Sequence, residues 1–182
     1  MKPNLLKKYK EEAIPKMKEK FGIKNAMALP RLEKIVINMG VGDAIGDMKI
    51  LDSAIADLTA ISGQKPVMTR AKKAISNFKL RENLPIGCKV TLRRAKMYEF
   101  MDRLVNSTLP RIRDFNGVSE KSFDEQGNFS IGVEEQVIFP EIDSGKITHT
   151  QGMDITFVFN KGPKERTYEL LSLLGMPFRK KT

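Results

Sequence analysis

Cysteine and histidine are almost missing from this chain, and their scarcity removes several chemistries at once. Cys88 is the only cysteine and His149 the only histidine in 182 residues. One cysteine cannot form an internal disulfide, which fits a reducing compartment. Metal sites of the Cys/His type need several such ligands, so no metal or other cofactor is expected. A Ser-His-Asp arrangement would have to use His149, which lies in a polar Gly/Asp/Thr stretch without a nucleophile elbow. No apolar run approaches the roughly 20 residues that cross a bilayer, so no membrane partner is expected. Nor does Met1–Lys8 carry an apolar core followed by a small-residue cleavage site, so a soluble, cytoplasmic protein is the expectation.

Phosphate-binding loops are also poorly matched. Gly40-Val41-Gly42 follows a strand but lacks the third glycine. Ser144-Gly145-Lys146-Ile147 has Pro140 at the first glycine position and Ile147 where Ser or Thr should stand. Paired carboxylates such as Glu134-Glu135 fall on opposite sides of a strand. With so few positioned acid–base groups, an enzyme is not expected.

What the chain does have is positive charge, unevenly placed. Lys and Arg number 32 against 22 acids, a net charge of +10 and a pI near 9.7. A cation set beside a phosphate releases a condensed counterion, so this balance favours a polyanionic partner. Residues 64–96 hold ten cations and only Glu82 against them; residues 120–154 hold eight acids against Lys121 and Lys146. Segregated sign of this kind suggests two partner surfaces, a basic one for RNA and an acidic one for something basic.

Hydrophobic residues, at 41%, suffice for the core of a single domain spanning residues 1–182. Residues 4–20 read as a surface helix broken or kinked at Pro15 and closed by Gly22. Asp47 can cap a helix through Ile50, Leu51, Ala54, Ile55, Leu58 and Ile61 that Gly63 ends. Residues 96–109 form another, stopped before Pro110, and a last one opens at Pro163 and ends at Gly175. Strands are expected at 33–41, Val67–Arg70, Cys88–Arg94, about 128–134 and 152–160. The mixture, without a strict βαβ rhythm, predicts an α+β fold. Its mostly antiparallel or mixed sheet is covered by helices on one face and open on the other.

Period-2 parity says what lines the open face. Ile35, Ile37, Met39 and Val41 go inward, as do Cys88, Val90, Leu92, Phe129, Ile131, Val133, Met153, Ile155, Phe157 and Phe159. Outward go Lys34, Val36, Asn38, Lys89, Thr91, Arg93, Asn128, Ser130, Gly132, Asp154, Thr156 and Val158. Any half-buried sheet is polar outside, but short amides and hydroxyls also let a sheet approach a sugar-phosphate backbone closely. No aromatic stands in the outward set, which favours recognition of folded RNA by shape over stacking of single-stranded bases. Between the second and third strands, residues 70–86 form a basic loop. Arg70, Lys72, Lys73, Lys79 and Arg81 face only Glu82, and their repulsion should keep it mobile in the isolated protein. Phe78 is either tucked against the domain edge or held out as a contact, with the contact preferred.

Several phrases resemble one family. They are Lys34-Ile35-Val36-Ile37-Asn38-Met39-Gly40-Val41-Gly42-Asp43, Gly63-Gln64-Lys65-Pro66, Thr69-Arg70-Ala71-Lys72-Lys73-Ala74-Ile75 and Arg81-Glu82-Asn83-Leu84-Pro85-Ile86-Gly87. Gly127-Asn128-Phe129-Ser130-Ile131-Gly132-Val133-Glu134-Glu135-Gln136, Ile138-Phe139-Pro140-Glu141-Ile142 and Gly152-Met153-Asp154-Ile155-Thr156 continue them in order. Together they resemble the large-subunit ribosomal protein five family in its bacterial-type form. The resemblance implies a ribosome-bound, monomeric component of the central protuberance that binds 5S rRNA and contacts large-subunit rRNA. It implies hydrogen bonds to 5S rRNA from Asn38, Gln64, Thr91 and Ser130, three of which parity already places outward. Lys34, Lys89, Arg93 and Asn128 join them as candidates on the same face. The basic loop, with Arg70, Lys72, Lys73, Phe78, Lys79 and Arg81, would reach the peptidyl-site tRNA. The acidic stretch within 134–151, with Glu141, Asp143, Lys146 and His149, would meet a basic protein of the small-subunit head as part of an intersubunit bridge. The rival reading is an RNA-binding or RNA-chaperone module without a ribosomal role.

Overall fold

The computed structural model describes residues 3–147, 149–160 and 162–179. Five strands, β1 (Leu32–Gly40), β2 (Val67–Arg70), β3 (Pro85–Leu92), β4 (Phe129–Val133) and β5 (Met153–Phe159), form one open antiparallel sheet in the order β2-β3-β1-β5-β4. With five helical segments beside it, the fold is α+β as expected. Parity holds along β1, β3, β4 and β5: each residue expected inward is buried, and each expected outward is half-buried or exposed; β2, to which parity assigned no face, has no buried residue. The chain forms two compact units whose boundary falls within the strands: Met1–Ile35, Leu92–Ile131 and Thr156–Thr182 make one, Val36–Thr91 and Gly132–Ile155 the other.

In the second of these units the chain leaves β1 and enters helix α3 (Met48–Ser62). Asp47 caps it, its Oδ1 accepting from Lys49 N at 2.9 Å, and Gly63 closes it in the left-handed region (φ +63°). Leu51, Ala54, Leu58 and Ile61, at helical spacing, are buried. β3 begins at Pro85, three residues earlier than the reading of Cys88–Arg94, and ends before Arg93 and Arg94. Pro85 and Gly87 look like loop residues, yet Gly87 is there because β1 comes close. A Cβ on it would lie 2.4 Å from the Met39 carbonyl oxygen. Cys88 is fully buried, and burial pushes its thiol up to about 11, as suits an inert core filler.

The first unit holds the N-terminal helix, which is more than a surface helix. It runs as α1 (Asn4–Lys8), a π-helical turn (Tyr9–Ala13) and α2 (Ile14–Phe21), closed by Gly22. The wide turn lies directly before Ile14-Pro15, where a proline ring would clash with the carbonyl four residues back. Leu5, Tyr9, Ala13 and Met17 recur every four residues and are buried, an apolar stripe that the abundant lysines obscure. Helix α4 (Arg94–Arg103) continues through a π-helical turn (Leu104–Thr108) into a 3-10 turn (Leu109–Arg111). The chain therefore does not stop before Pro110: the proline sits in the first positions of the new turn, where no N–H is needed. Helix α5 (Lys164–Leu174) starts after Pro163 and ends at Gly175, as read. Beyond it Phe178 enters an aromatic cluster with Tyr168 (4.5 Å between ring centres), Phe129 (5.6 Å) and Phe123 (5.9 Å).

Candidate nucleic-acid interface

The outward side chains fall into two groups, one in each unit. In the unit of α3 these are Asn38 and Lys89, exposed, with Gln64 and Thr91 half-buried. Gln64 follows the helix-ending Gly63, and its Nε2 donates to the Thr91 carbonyl oxygen at 3.4 Å. That contact holds a residue from outside the strands beside β3, which strand parity alone could not have placed.

The other unit carries Ser130 and Arg93, exposed, and Lys34 and Asn128, half-buried. The hydroxyls of Ser130 and Thr156 lie 3.0 Å apart across β4 and β5. Asn128 is tied into the fold: its Oδ1 accepts from Phe159 N at 3.1 Å and its Nδ2 donates to Asp124 Oδ2 at 2.7 Å. Arg93 opens on a cleft of about 610 Å³ that Lys10, Arg31 and Arg94 also line. Burial pushes the phenol of Tyr98, on the same cleft, up to about 12, against the opposing pull of Arg31. Arg31 and Arg94 add to the basic surface; Arg31 precedes the strand expected at 33–41, and Arg94, the last residue of the strand expected at Cys88–Arg94, instead opens helix α4. Among the described residues, Lys34, Lys89 and Arg93 stand in no ion pair.

The basic segment 70–86 continues the β2–β3 pairing beyond the strands. Ala71 N donates to the Leu84 carbonyl at 2.8 Å and Asn83 N to the Ala71 carbonyl at 2.9 Å. Further out, Ile75 and Leu80 exchange two backbone bonds around a 3-10 turn at Ser76–Phe78. Arg70 Nη1 donates to the Asn83 carbonyl at 3.0 Å. Lys72, Lys73, Lys79 and Arg81 are exposed, and Phe78 is held out with 70% of its surface in solvent. Lys79 adopts φ +52° to close the turn, a conformation costly for a residue with a Cβ.

The acidic segment is organised by a buried glutamine. Gln136, 0% exposed, donates from Nε2 to the His149 carbonyl at 2.8 Å and to Asp57 Oδ2 at 3.5 Å. Its Oε1 accepts from Gln151 N at 2.6 Å, and Gln151 Nε2 donates to the Gly40 carbonyl at 2.6 Å. Burial raises the carboxyl of Asp57, and the bond from Gln136 opposes it. His149 is half-buried, with Nε2 3.3 Å from Asp43 Oδ2. Glu141 is half-buried, and exposed Asp143 caps a turn by accepting from Gly145 N at 3.1 Å. The side chain of Lys146 lies outside what is described. Gln136 stands among the recognised phrases but carried no role in the sequence; a glutamine followed by Val137-Ile138-Phe139 was the available signal.

In β1, β3, β4 and β5 a buried row opposite a wetter, mostly polar one, together with separated basic and acidic segments, defines an α+β protein with an open antiparallel sheet. Two family descriptions match the chain: "Ribosomal protein L5" over residues 25–81 and "ribosomal L5P family C-terminus" over residues 85–178. It is 60% identical to the "Large ribosomal subunit protein uL5" of Clostridium tetani (strain Massachusetts / E88) over 178 residues, 98% of this chain and 99% of the relative. Identity to the protein of the same name from Clostridium kluyveri (strain NBRC 12016) is also 60%, over 181 residues and the full length of both. The chain belongs to the uL5 family of ribosomal proteins, a family of structural components and not of enzymes.

Replacing Gln136 by Leu keeps the volume but strands the Gln151 N–H and the His149 carbonyl. We expect a loss of about 2–4 kcal/mol in denaturant unfolding, the sum of two unsatisfied buried groups.

Proposed function

We propose that this chain is a cytoplasmic, ribosome-bound protein of the large subunit that binds 5S rRNA through the outward side chains of its strands. The observation that carries the reading is the make-up of those rows. Asn38, Thr91 and Ser130 supply short polar groups, Lys34, Lys89 and Arg93 supply unpaired cations, and no aromatic is among them. Short side chains permit close approach to sugar and phosphate, and cations without a carboxylate partner can take phosphates without first breaking an ion pair. Gln64, held beside Thr91, belongs to the same set; Asn128 positions β4 against β5 at its edge. The relatives' name, large ribosomal subunit protein, supports the ribosomal setting. Contacts with large-subunit rRNA follow from that setting.

Two further contacts complete the proposal. The hairpin of 70–86 presents Arg70, Lys72, Lys73, Lys79, Arg81 and the outward ring of Phe78 to peptidyl-site tRNA. It meets the tRNA backbone without sequence preference, which suits a site that accepts every tRNA. The acidic segment, with Glu141, Asp143, Lys146 and His149, meets a basic protein of the small-subunit head. Cofractionation with large subunits at one copy per particle separates this function from a free RNA chaperone, which would remain in the soluble fraction.

Asn38→Ala with Thr91→Ala should weaken 5S rRNA binding by about 1–2 kcal/mol per lost hydrogen bond while the protein stays folded. Wild-type affinity in a folded double variant would remove these residues from the interface. Neutralising Lys89 and Arg93 together should flatten the plot of log affinity against log salt by somewhat under ~2 units; an unchanged slope would mean that neither meets phosphate. Neutralising Lys72, Lys73 and Lys79 should lower tRNA retention in the peptidyl site and leave 5S rRNA affinity nearly intact. The reverse pattern would assign the hairpin to 5S rRNA.

A further inference from the structure

Two strand glycines have no reason among the described residues to be glycine. Gly40 ends β1 and Gly132 lies in β4; both are exposed, and neither has a positive φ. A Cβ on Gly40 would meet nothing within 4 Å, and one on Gly132 would meet only Asp154 Oδ1, at 3.7 Å, an ordinary contact. Other glycines of the fold differ: Gly87 is forced by the Met39 carbonyl, and Gly117 combines φ +90° with a Cβ position 2.8 Å from Arg179 N. Glycine weakens a strand, since it packs nothing and costs more backbone entropy than any other residue. At Gly40 and Gly132 the missing side chain instead leaves open a space on the outward side of the strands.

Both glycines line one hollow of about 450 Å³, with Asn38, Glu134, Gln151 and Asp154 among its other walls. Asn38, Glu134 and Asp154 are exposed; Gln151 is held by its bond to the Gly40 carbonyl. This lining is selective toward the parts of an RNA strand. Among the described residues no Lys or Arg contributes to it, and two carboxylates do, so a phosphate is repelled. Nor does any aromatic ring, so an extruded base finds nothing to stack on. A ribose remains: uncharged, small enough to need bare backbone beneath it, and bearing hydroxyls that donate to carboxylates.

We propose that this hollow receives a ribose of the bound 5S rRNA over Gly40 and Gly132, with the 2′-hydroxyl donating to the carboxylate of Asp154. The inference rests on the 5S rRNA reading above and adds to it a means of telling RNA from DNA at one nucleotide, through a group that DNA lacks. It also gives an acidic side chain a place on a face otherwise suited to a polyanion.

The test uses the full-length chain and intact 5S rRNA, with 2′-deoxy substitutions scanned along the RNA by interference mapping. Gly40→Ala and Gly132→Ala should fold with an equal or higher Tm, because Ala fits both backbone positions. Each should bind 5S rRNA about tenfold more weakly, the methyl standing where the sugar sits. Wild type should show a nucleotide at which 2′-deoxy substitution weakens binding, and Asp154→Ala, at an exposed position, should lose sensitivity at that nucleotide and keep it elsewhere. Wild-type affinity in both folded alanine variants, or an unchanged interference map in Asp154→Ala, overturns the ribose assignment while leaving 5S rRNA binding intact. If an alanine variant misfolds, the Asp154→Ala map alone decides. Failure of the wild type to bind 5S rRNA at all would bring down the broader reading, and this one with it.

Discussion

One-sided burial of the strands is the constraint on which the rest of this structure depends. Ile35, Ile37, Met39, Cys88, Val90, Leu92, Phe129, Ile131, Val133, Met153, Ile155, Phe157 and Phe159 are all buried, one row in each of β1, β3, β4 and β5. Because side chains alternate, committing that row to the core leaves the other row to solvent or a partner. A one-residue slip in any of these four strands would exchange the two, so the core that fixes register also fixes which groups face outward. Stability and recognition are thus set by the same alternation, and the outward row can be short and polar without cost to packing.

The charged segments stand on supports of different kinds. The basic hairpin is held by backbone bonds, from Ala71 with Leu84 out to Ile75 with Leu80, so its cations are left free of structural duty apart from Arg70. The acidic segment hangs on the Gln136 carboxamide, which joins the backbone at 149 and 151 to the carboxylate of Asp57. Among the described residues, Lys72, Lys73, Lys79 and Arg81 of the hairpin stand in no ion pair: a surface ion pair adds little stability, whereas an unpaired charge remains available to a partner.

Much of this was legible in the sequence, for definite reasons. Strand faces followed from alternation, and helix ends from Asp47, Gly22, Gly63 and Gly175, each of which does what its residue type favours. The errors lie where local signals compete with tertiary contacts. Pro85 and Gly87 read as loop, yet the close approach of β1 demands a glycine inside β3. Pro110 read as a stop, although the chain turns on through it as a 3-10 segment. The N-terminal stripe of Leu5, Tyr9, Ala13 and Met17 was hidden by surrounding lysines. Gln64 and Gln136 could not be placed by period at all, since their positions come from hydrogen bonds across long stretches of chain. The two hollow-lining glycines are visible in the sequence, but only the space above them shows that no described residue requires them.

The most direct test of the central claim is lysine reactivity toward an acetylating reagent, read residue by residue with and without bound 5S rRNA. The account predicts strong protection of Lys34 and Lys89, on the outward rows of β1 and β3, with Lys72, Lys73 and Lys79 on the hairpin as reactive as in the free protein. Protection confined to the hairpin lysines, with Lys34 and Lys89 unchanged, would contradict it.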